Sequence, residues 1–147
     1  MRSTSAIFLL GILVFITPVR AQVLMKDAQL ESFAPSAGDA LRGKAIVVSR
    51  QTGLCLLCHS GPFPEERFQG NLAPDLGLSA AKLSAAQLRE RIIDPSRFNS
   101  ATIMPAYYRT EGFYRIGSKW SGQTMLTAQE IEDVVAFLLT LNPRNIP

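Results

Sequence analysis

Both cysteines and the single histidine of this 147-residue chain lie within five residues, in the pentapeptide Cys55-Leu56-Leu57-Cys58-His59. A Cys-x-x-Cys-His pattern is compatible with a redox-active dithiol, a metal site or the attachment point of a c-type haem. Each interpretation makes a different demand on the rest of the chain. The pentapeptide therefore constrains the fold more than any other feature of the sequence.

The thiol and zinc interpretations find little support elsewhere in the chain. Redox Cys-x-x-Cys motifs accompany a βαβ pattern, and none is visible in this sequence. A structural zinc site takes four ligands, usually cysteine or histidine, whereas the chain offers three such side chains. A disulfide between Cys55 and Cys58 would close a very short loop and would constrain the unfolded chain little.

The haem interpretation uses all three side chains. Cys55 and Cys58 would form thioethers to the porphyrin, and His59 would bind the iron on its proximal face. The sequence therefore predicts one covalently bound haem c per chain.

The other axial position of that iron has fewer candidates. The chain has no second histidine, so the choices are methionine, lysine or a vacant position. Met1 and Met25 lie in N-terminal segments, and Met125 adjoins a predicted helix, where packing into the core is expected. Met104 lies in a loop restricted by Pro105, after a predicted helix. We predict Met104 as the second axial ligand of the iron. A His/Met ligand pair raises the reduction potential of a haem.

The first residues predict export. Arg2 precedes an apolar run from Ala6 to Ile16, and small residues follow as far as Ala21. This order is typical of a secretory signal peptide, and the run is shorter than the roughly 20 residues that span a bilayer. We predict that residues 1–21 are a signal peptide cleaved after Ala21, with an uncleaved anchor as the alternative. The mature protein would be soluble and periplasmic, without stable membrane insertion.

The charge balance gives no support for nucleic-acid binding. The chain has 15 basic and 12 acidic residues, but the predicted signal peptide contains Arg2, Arg20 and no acidic residue. Cleavage would leave 13 basic residues and a net charge of about +1. The basic character of the precursor therefore does not indicate a surface for nucleic acid.

Residues 22–37 are predicted to form an N-terminal extension, residues 38–142 one domain, and residues 143–147 an irregular tail. Three helices are predicted in the domain. They begin at Asp39, at Ser84-Ala85-Ala86-Gln87 and at Thr127-Ala128-Gln129-Glu130, and the last two starts are capping boxes. Strand-like alternation is scarce, so the domain is predicted to be all-α. The long loops between its helices need a large buried group to organise them.

From about Gly38 to Leu141 the chain resembles class I cytochromes c. The resemblance implies that the first and last helices cross closely, at Gly43 and Phe137. It also implies that a proline carbonyl in Ala73-Pro74-Asp75-Leu76 accepts a hydrogen bond from the proximal histidine. The stretch from Asp94-Pro95 to Met104-Pro105 is similar to a helix end and the distal methionine loop of that family.

Longer blocks narrow the resemblance to the SoxX family, the monohaem subunits of SoxAX complexes. The similar blocks are Gly53 to Pro64, Gln69 to Leu76, Ile103 to Arg109 and Leu126 to Leu138. Together they cover most of the mature domain, and no haem-site position departs from the family pattern. Residues 22–37 match no motif of this family.

The resemblance implies an electron-transfer role within an L-cysteine S-thiosulfotransferase. In SoxAX complexes, thiosulfate is joined oxidatively to a cysteine of the carrier SoxYZ, and SoxA holds the haem associated with that chemistry. This chain would form a heterodimer with a SoxA-like subunit and pass electrons to a soluble acceptor cytochrome. The alternative is a free-standing periplasmic electron carrier without an enzymatic partner.

The aromatic segment from Tyr107 to Trp120 allows two interpretations. Glu111 is its only acidic residue. Its aromatic residues are Tyr107, Tyr108, Phe113, Tyr114 and Trp120. We expect a loop that covers the haem, with Arg109 or Trp120 donating to a propionate. The alternative is a surface for a partner protein.

Overall fold

The computed structural model describes residues 34–142, and this part of the chain is helical with no strand. It contains the α-helices α1 (Ala40–Val48), α2 (Leu76–Ala80), α3 (Ala85–Ile93) and α4 (Ala128–Thr140). Short 3-10 helices occur at Cys55–Leu57, Pro95–Arg97 and Ser118–Trp120. The predicted all-α class is confirmed. The predicted signal peptide, most of the predicted extension and the predicted tail lie outside the described residues.

The three longer helices begin at the predicted capping residues. The Asp39 carboxylate accepts from the backbone N–H groups of Leu41 and Arg42, at 2.8 and 2.9 Å. At the start of α3 and of α4, a serine or threonine and the residue three positions later satisfy each other's backbone N–H groups. These caps fix where each helix enters the domain.

Helix α2 was not predicted. Asp75 caps it by accepting from the backbone N–H of Leu78 at 3.1 Å, and the helix buries Leu76 and Ala80. Five residues form less than two turns, too short for a clear 3.6-residue pattern. The domain therefore has three longer helices, as predicted, and one short helix after the Pro74 loop.

Helices α1 and α4 cross in direct backbone contact. A Cβ atom added at Gly43 would lie 1.9 Å from the Asp133 carbonyl oxygen and 2.8 Å from the Phe137 Cβ. Only glycine permits this approach without moving a helix. The close crossing of the first and last helices is thus present at the two residues expected from the resemblance.

Apolar side chains from every α-helix form one core. The Phe63 and Phe137 rings lie 5.9 Å apart, and both side chains are buried. The buried members of the core are Val47, Leu56, Phe63, Leu76, Ala80, Leu88, Ile92, Tyr107, Leu126, Ile131, Val134, Val135, Phe137 and Leu138. Leu56 places the haem-type motif directly against this core.

Two buried carboxylates on α4 bind arginines from the neighbouring helices. Glu132 binds Arg89 of α3 through both oxygens, at 2.5 and 2.8 Å, and both side chains are buried. Asp133 binds Arg42 of α1 at 2.7 and 2.8 Å. A buried charge is tolerated only when it is paired in this way. The two pairs attach α4 to α1 and α3 on either side.

No helix within residues 34–142 is long and apolar enough to cross a bilayer.

Candidate haem-binding site

The Cys-x-x-Cys-His motif lies in a tight loop after α1. Leu54 adopts a left-handed conformation, with φ 59° and ψ 8°, which is unusual for a leucine. Its backbone N–H donates to the Ser49 carbonyl at 2.9 Å. The chain then forms the 3-10 helix, and the N–H of His59 donates to the Cys55 carbonyl at 2.9 Å. This geometry places both cysteines and the histidine at the mouth of one cavity.

The His59 ring is oriented by a single carbonyl group. Its Nδ1 atom lies 2.6 Å from the Pro74 carbonyl oxygen. A carbonyl oxygen can only accept, so Nδ1 carries the proton and donates. In the neutral imidazole, Nε2 is then the unprotonated nitrogen and the one able to bind a metal. This is the contact that the class I cytochrome c resemblance implies.

Two adjoining cavities occupy the space between His59 and Met104. The first has a volume of about 240 Å³ and the second about 490 Å³. They share the lining residues His59, Leu76, Ile92, Met104 and Leu138. Cavities of this combined size and apolar character are typical of sites for a cofactor.

The cysteines line one of these cavities, and most of the polar side chains line the other. Cys55 and Cys58 line the first cavity, together with apolar residues and Tyr107. The second cavity lacks both cysteines and has polar side chains on its wall: Ser79, Arg91, Asn99 and Thr102. An amphipathic group attached at the cysteines would therefore extend from an apolar region towards a polar one.

The two methionines in residues 34–142 occupy different environments. Met104 lines both cavities. Met125 is partly buried against the core and lines neither cavity. The structure therefore brings four predicted site residues to one cavity: Cys55, Cys58, His59 and Met104.

The protonation chemistry of Cys55 does not fit a reactive dithiol. Burial raises the pKa of the Cys55 thiol to about 11. Redox-active cysteines instead have a lowered pKa, because the thiolate is the reacting form. Within residues 34–142, no three His, Cys, Asp or Glu side chains are placed to hold one metal ion.

Tyr107 is a site residue that sequence reasoning placed in a covering loop. Its side chain is 4% exposed and lines the first cavity. Arg109 and Trp120, the two predicted propionate donors, line neither cavity. The Arg109 guanidinium is 3.3 Å from Asp94 and 4.7 Å from the centre of the Phe113 ring. The signal available in the sequence was a tyrosine directly after Met104-Pro105-Ala106, close to the predicted ligand.

Comparison with known proteins identifies the family. No protein-family model and no curated protein matches the chain. One chain of the crystal structure of SoxXA from P. pantotrophus matches with 35% sequence identity and a TM-score of 0.68. The match covers 76% of this chain and 87% of that one. The chain belongs to the SoxX family.

Membership of the SoxX family confirms the predicted class I cytochrome c fold, with its first and last helices crossed and its loops around a central cavity. The cavity residues fit a c-type haem. Two cysteines line an apolar cavity, a histidine ring on its wall is oriented by a carbonyl, and the Met104 side chain lines the same cavity. These are the side chains that c-type haem attachment and His/Met ligation require.

Proposed function

We propose that this chain is an electron-transfer cytochrome carrying one haem c, attached at Cys55 and Cys58 and ligated by His59 and Met104. The observation that carries the proposal is the His59–Pro74 contact of 2.6 Å beside a cavity lined by both cysteines and Met104. A haem bound there would supply one-electron redox chemistry.

The residues around the cavity would tune that chemistry. The Pro74 carbonyl holds the proton on Nδ1 of His59, so Nε2 presents its lone pair to the iron site. The walls from Val47, Leu126, Val134 and Leu138 exclude water. Apolar walls and a thioether ligand favour the reduced state, so a high reduction potential is expected.

Two exposed apolar residues give electrons a short route to a partner. Leu57 is 47% exposed and Ile103 is 75% exposed, and both also line the first cavity. They therefore separate the candidate site from solvent by a single layer of side chain. A partner that packs on this edge would bring its own redox group close to the site.

The sulfur chemistry would belong to a partner. Both cysteines of the chain would be consumed as thioethers, so no thiolate remains to receive sulfur. We propose a heterodimer with a SoxA-like subunit, acting as an L-cysteine S-thiosulfotransferase. The partner would join thiosulfate to a SoxYZ cysteine, which releases two electrons. This chain would relay them, one at a time, to an acceptor cytochrome.

The proposed location is the periplasm. The predicted signal peptide supports export, and covalent haem attachment of this type in bacteria takes place outside the cytoplasm.

Purification from the native periplasm tests the proposed complex. We expect this chain to be isolated with a larger, haem-containing subunit, identified by mass and haem stain after size-exclusion chromatography. Thiosulfate conjugation should require both subunits. Elution of the haem-bearing chain as a monomer, at native concentration, would instead indicate the free-standing carrier.

A further inference from the structure

Tyr107 connects the two loops that would supply the ligands of the iron. Its hydroxyl donates to the Gly53 carbonyl oxygen at 2.5 Å, two residues before Cys55. Its backbone N–H donates to the Ile92 carbonyl at the end of α3, at 3.0 Å. Tyr107 follows Met104 by three positions in the sequence. One side chain thus joins the Met104 loop to the loop of the Cys-x-x-Cys-His motif.

The Met104 loop is held mainly from the Tyr107 side. Before Met104, residues 97–103 are exposed except for the half-buried Thr102, and the bonds nearest Met104 are local: Thr102 N–H to the Asn99 carbonyl and Met104 N–H to the Thr102 hydroxyl, at 3.0 and 3.2 Å. After Met104, the carbonyl of the buried Tyr107 accepts from the N–H groups of Met125 and Leu126, at 2.8 and 3.1 Å. Displacing Met104 from the cavity therefore pulls on the Tyr107 anchor.

Haem attachment would make the tyrosine hydroxyl more important. In the free thiol form, two donors reach the buried Gly53 carbonyl: the Tyr107 hydroxyl at 2.5 Å and the Cys55 thiol at 3.4 Å. A thioether sulfur carries no proton, so Cys55 can no longer donate after attachment. The Tyr107 hydroxyl then remains as the donor for this carbonyl. It also supports the strained, left-handed Leu54 that follows.

We propose that Tyr107 is a positioning residue for Met104: its hydroxyl, bound to Gly53, holds the Met104 loop closed against the haem-attachment loop. The inference rests on the proposed haem ligation by His59 and Met104. An external ligand can replace Met104 only when this loop opens. The loop opens only when the Tyr107–Gly53 hydrogen bond breaks. The strength of this bond therefore sets the fraction of protein in which the loop is open.

An imidazole titration of the oxidised haem protein tests the proposal. Imidazole displaces the methionine sulfur, and the far-red sulfur-to-iron absorption band disappears as it binds. In Tyr107→Phe the ring is kept and the hydrogen bond is lost. The open fraction should rise, and the apparent dissociation constant for imidazole should fall about fivefold to tenfold. Tyr114→Phe is the matched control, since Tyr114 is 91% exposed, and it should titrate like the wild type.

A Met104→Ala background separates positioning from a general loosening of the cavity. Without the methionine side chain, imidazole can enter the vacated position without opening of the loop, so Tyr107→Phe should leave the imidazole affinity of Met104→Ala unchanged. An equal shift in both backgrounds would overturn the proposal, and so would a Tyr107→Phe protein that titrates like Tyr114→Phe. A Tyr107→Phe protein without covalent haem, beside a haem-bearing Tyr114→Phe protein, would also overturn it, because the hydroxyl would then serve attachment.

The wild-type spectrum distinguishes this inference from the function on which it rests. A wild-type protein without the sulfur-to-iron band would contradict the Met104 ligation itself. A wild-type protein with the band and no effect of Tyr107→Phe would contradict only the role of Tyr107.

Discussion

The His59 ring shows how one hydrogen bond can decide the chemistry of a residue. By sequence alone, a histidine next to a cysteine motif could present either ring nitrogen to a metal. Here the Pro74 carbonyl, 2.6 Å from Nδ1, selects the tautomer with an unprotonated Nε2. The backbone holds that carbonyl in turn, because the Ala73 N–H donates to the Cys58 carbonyl at 2.9 Å. The motif loop and the proline loop thus fix each other.

Asp133 is the residue whose ionisation most clearly contributes to stability. Burial opposes the charged form, but hydrogen bonds from Arg42, from the Asp39 backbone N–H and from Gln129 outweigh it. The pKa of Asp133 therefore lies below its ordinary value of 3.8. A depressed pKa adds stability that is fully present above pH 3.8. This stability is lost as the pH falls through the lower pKa of the folded protein.

We expect Asp133→Asn to lower the free energy of unfolding of the haem protein by about 1 to 3 kcal/mol at pH 7, because Arg42 loses its buried charged partner and keeps only the exposed contact with Asp39, at 3.4 Å. Below pH 3.8 the difference from the wild type should shrink, since protonation removes the same charge from the wild type. Urea unfolding at a series of pH values measures both effects. The control is Glu111→Gln, on an exposed loop, and a pH-independent difference for Asp133→Asn would contradict the assignment.

At the scale of the helices, the architecture depends on the close crossing of α1 and α4 at Gly43. The Asp133 carbonyl would lie 1.9 Å from a Cβ atom at Gly43, so Gly43→Ala must push the helices apart. We expect a loss of about 1 to 3 kcal/mol in the free energy of unfolding. Gly117→Ala is the matched control, since its nearest side-chain neighbour is 3.6 Å away and its φ is −62°. Equal stability of the two variants would contradict the close crossing.

The sequence predicted the elements whose signals are local. The capping boxes at Ser84 and Thr127 begin α3 and α4, and Pro95 ends α3, because caps and prolines act on the nearest backbone groups. The close crossing at Gly43 and Phe137 came from the family resemblance rather than from periodicity. The four site residues were predicted from the chemistry of their side chains and from how few cysteines, histidines and methionines the chain contains. The structure places all four at one cavity.

Features that depend on distant partners could not be predicted. Arg89 and Glu132 are charged residues on helices, normally expected on a solvated face, yet each is buried because the other lies opposite it. Tyr107 was expected in a covering loop, and only the three-dimensional structure shows its hydroxyl at Gly53. No local pattern connects residues 43 or 54 positions apart in the chain.

For the protein as a whole, the proposed function separates electron transfer from sulfur chemistry. Two ion pairs join the three longer helices: Arg89–Glu132 is buried, whereas Arg42 of the Arg42–Asp133 pair is more than half exposed, and the intervening loops bring the predicted ligand residues to a cavity beside the core. The exposed apolar residues Leu57 and Ile103 also line that cavity, and we propose that a partner packs on them. With both cysteines committed to attachment, the chain would carry electrons only, and a SoxA-like subunit would handle the sulfur.

The absorption spectrum of Met104→Ala, compared with Met125→Ala, tests ligation by His59 and Met104 most directly. Both changes shorten a methionine to alanine, but only Met104 lines the cavities. We expect Met104→Ala to lose the far-red sulfur-to-iron band and to have a lower reduction potential, while its haem stays covalently attached. Met125→Ala should keep the band. An unchanged far-red spectrum in Met104→Ala, or loss of the band in Met125→Ala, would contradict Met104 as the axial ligand.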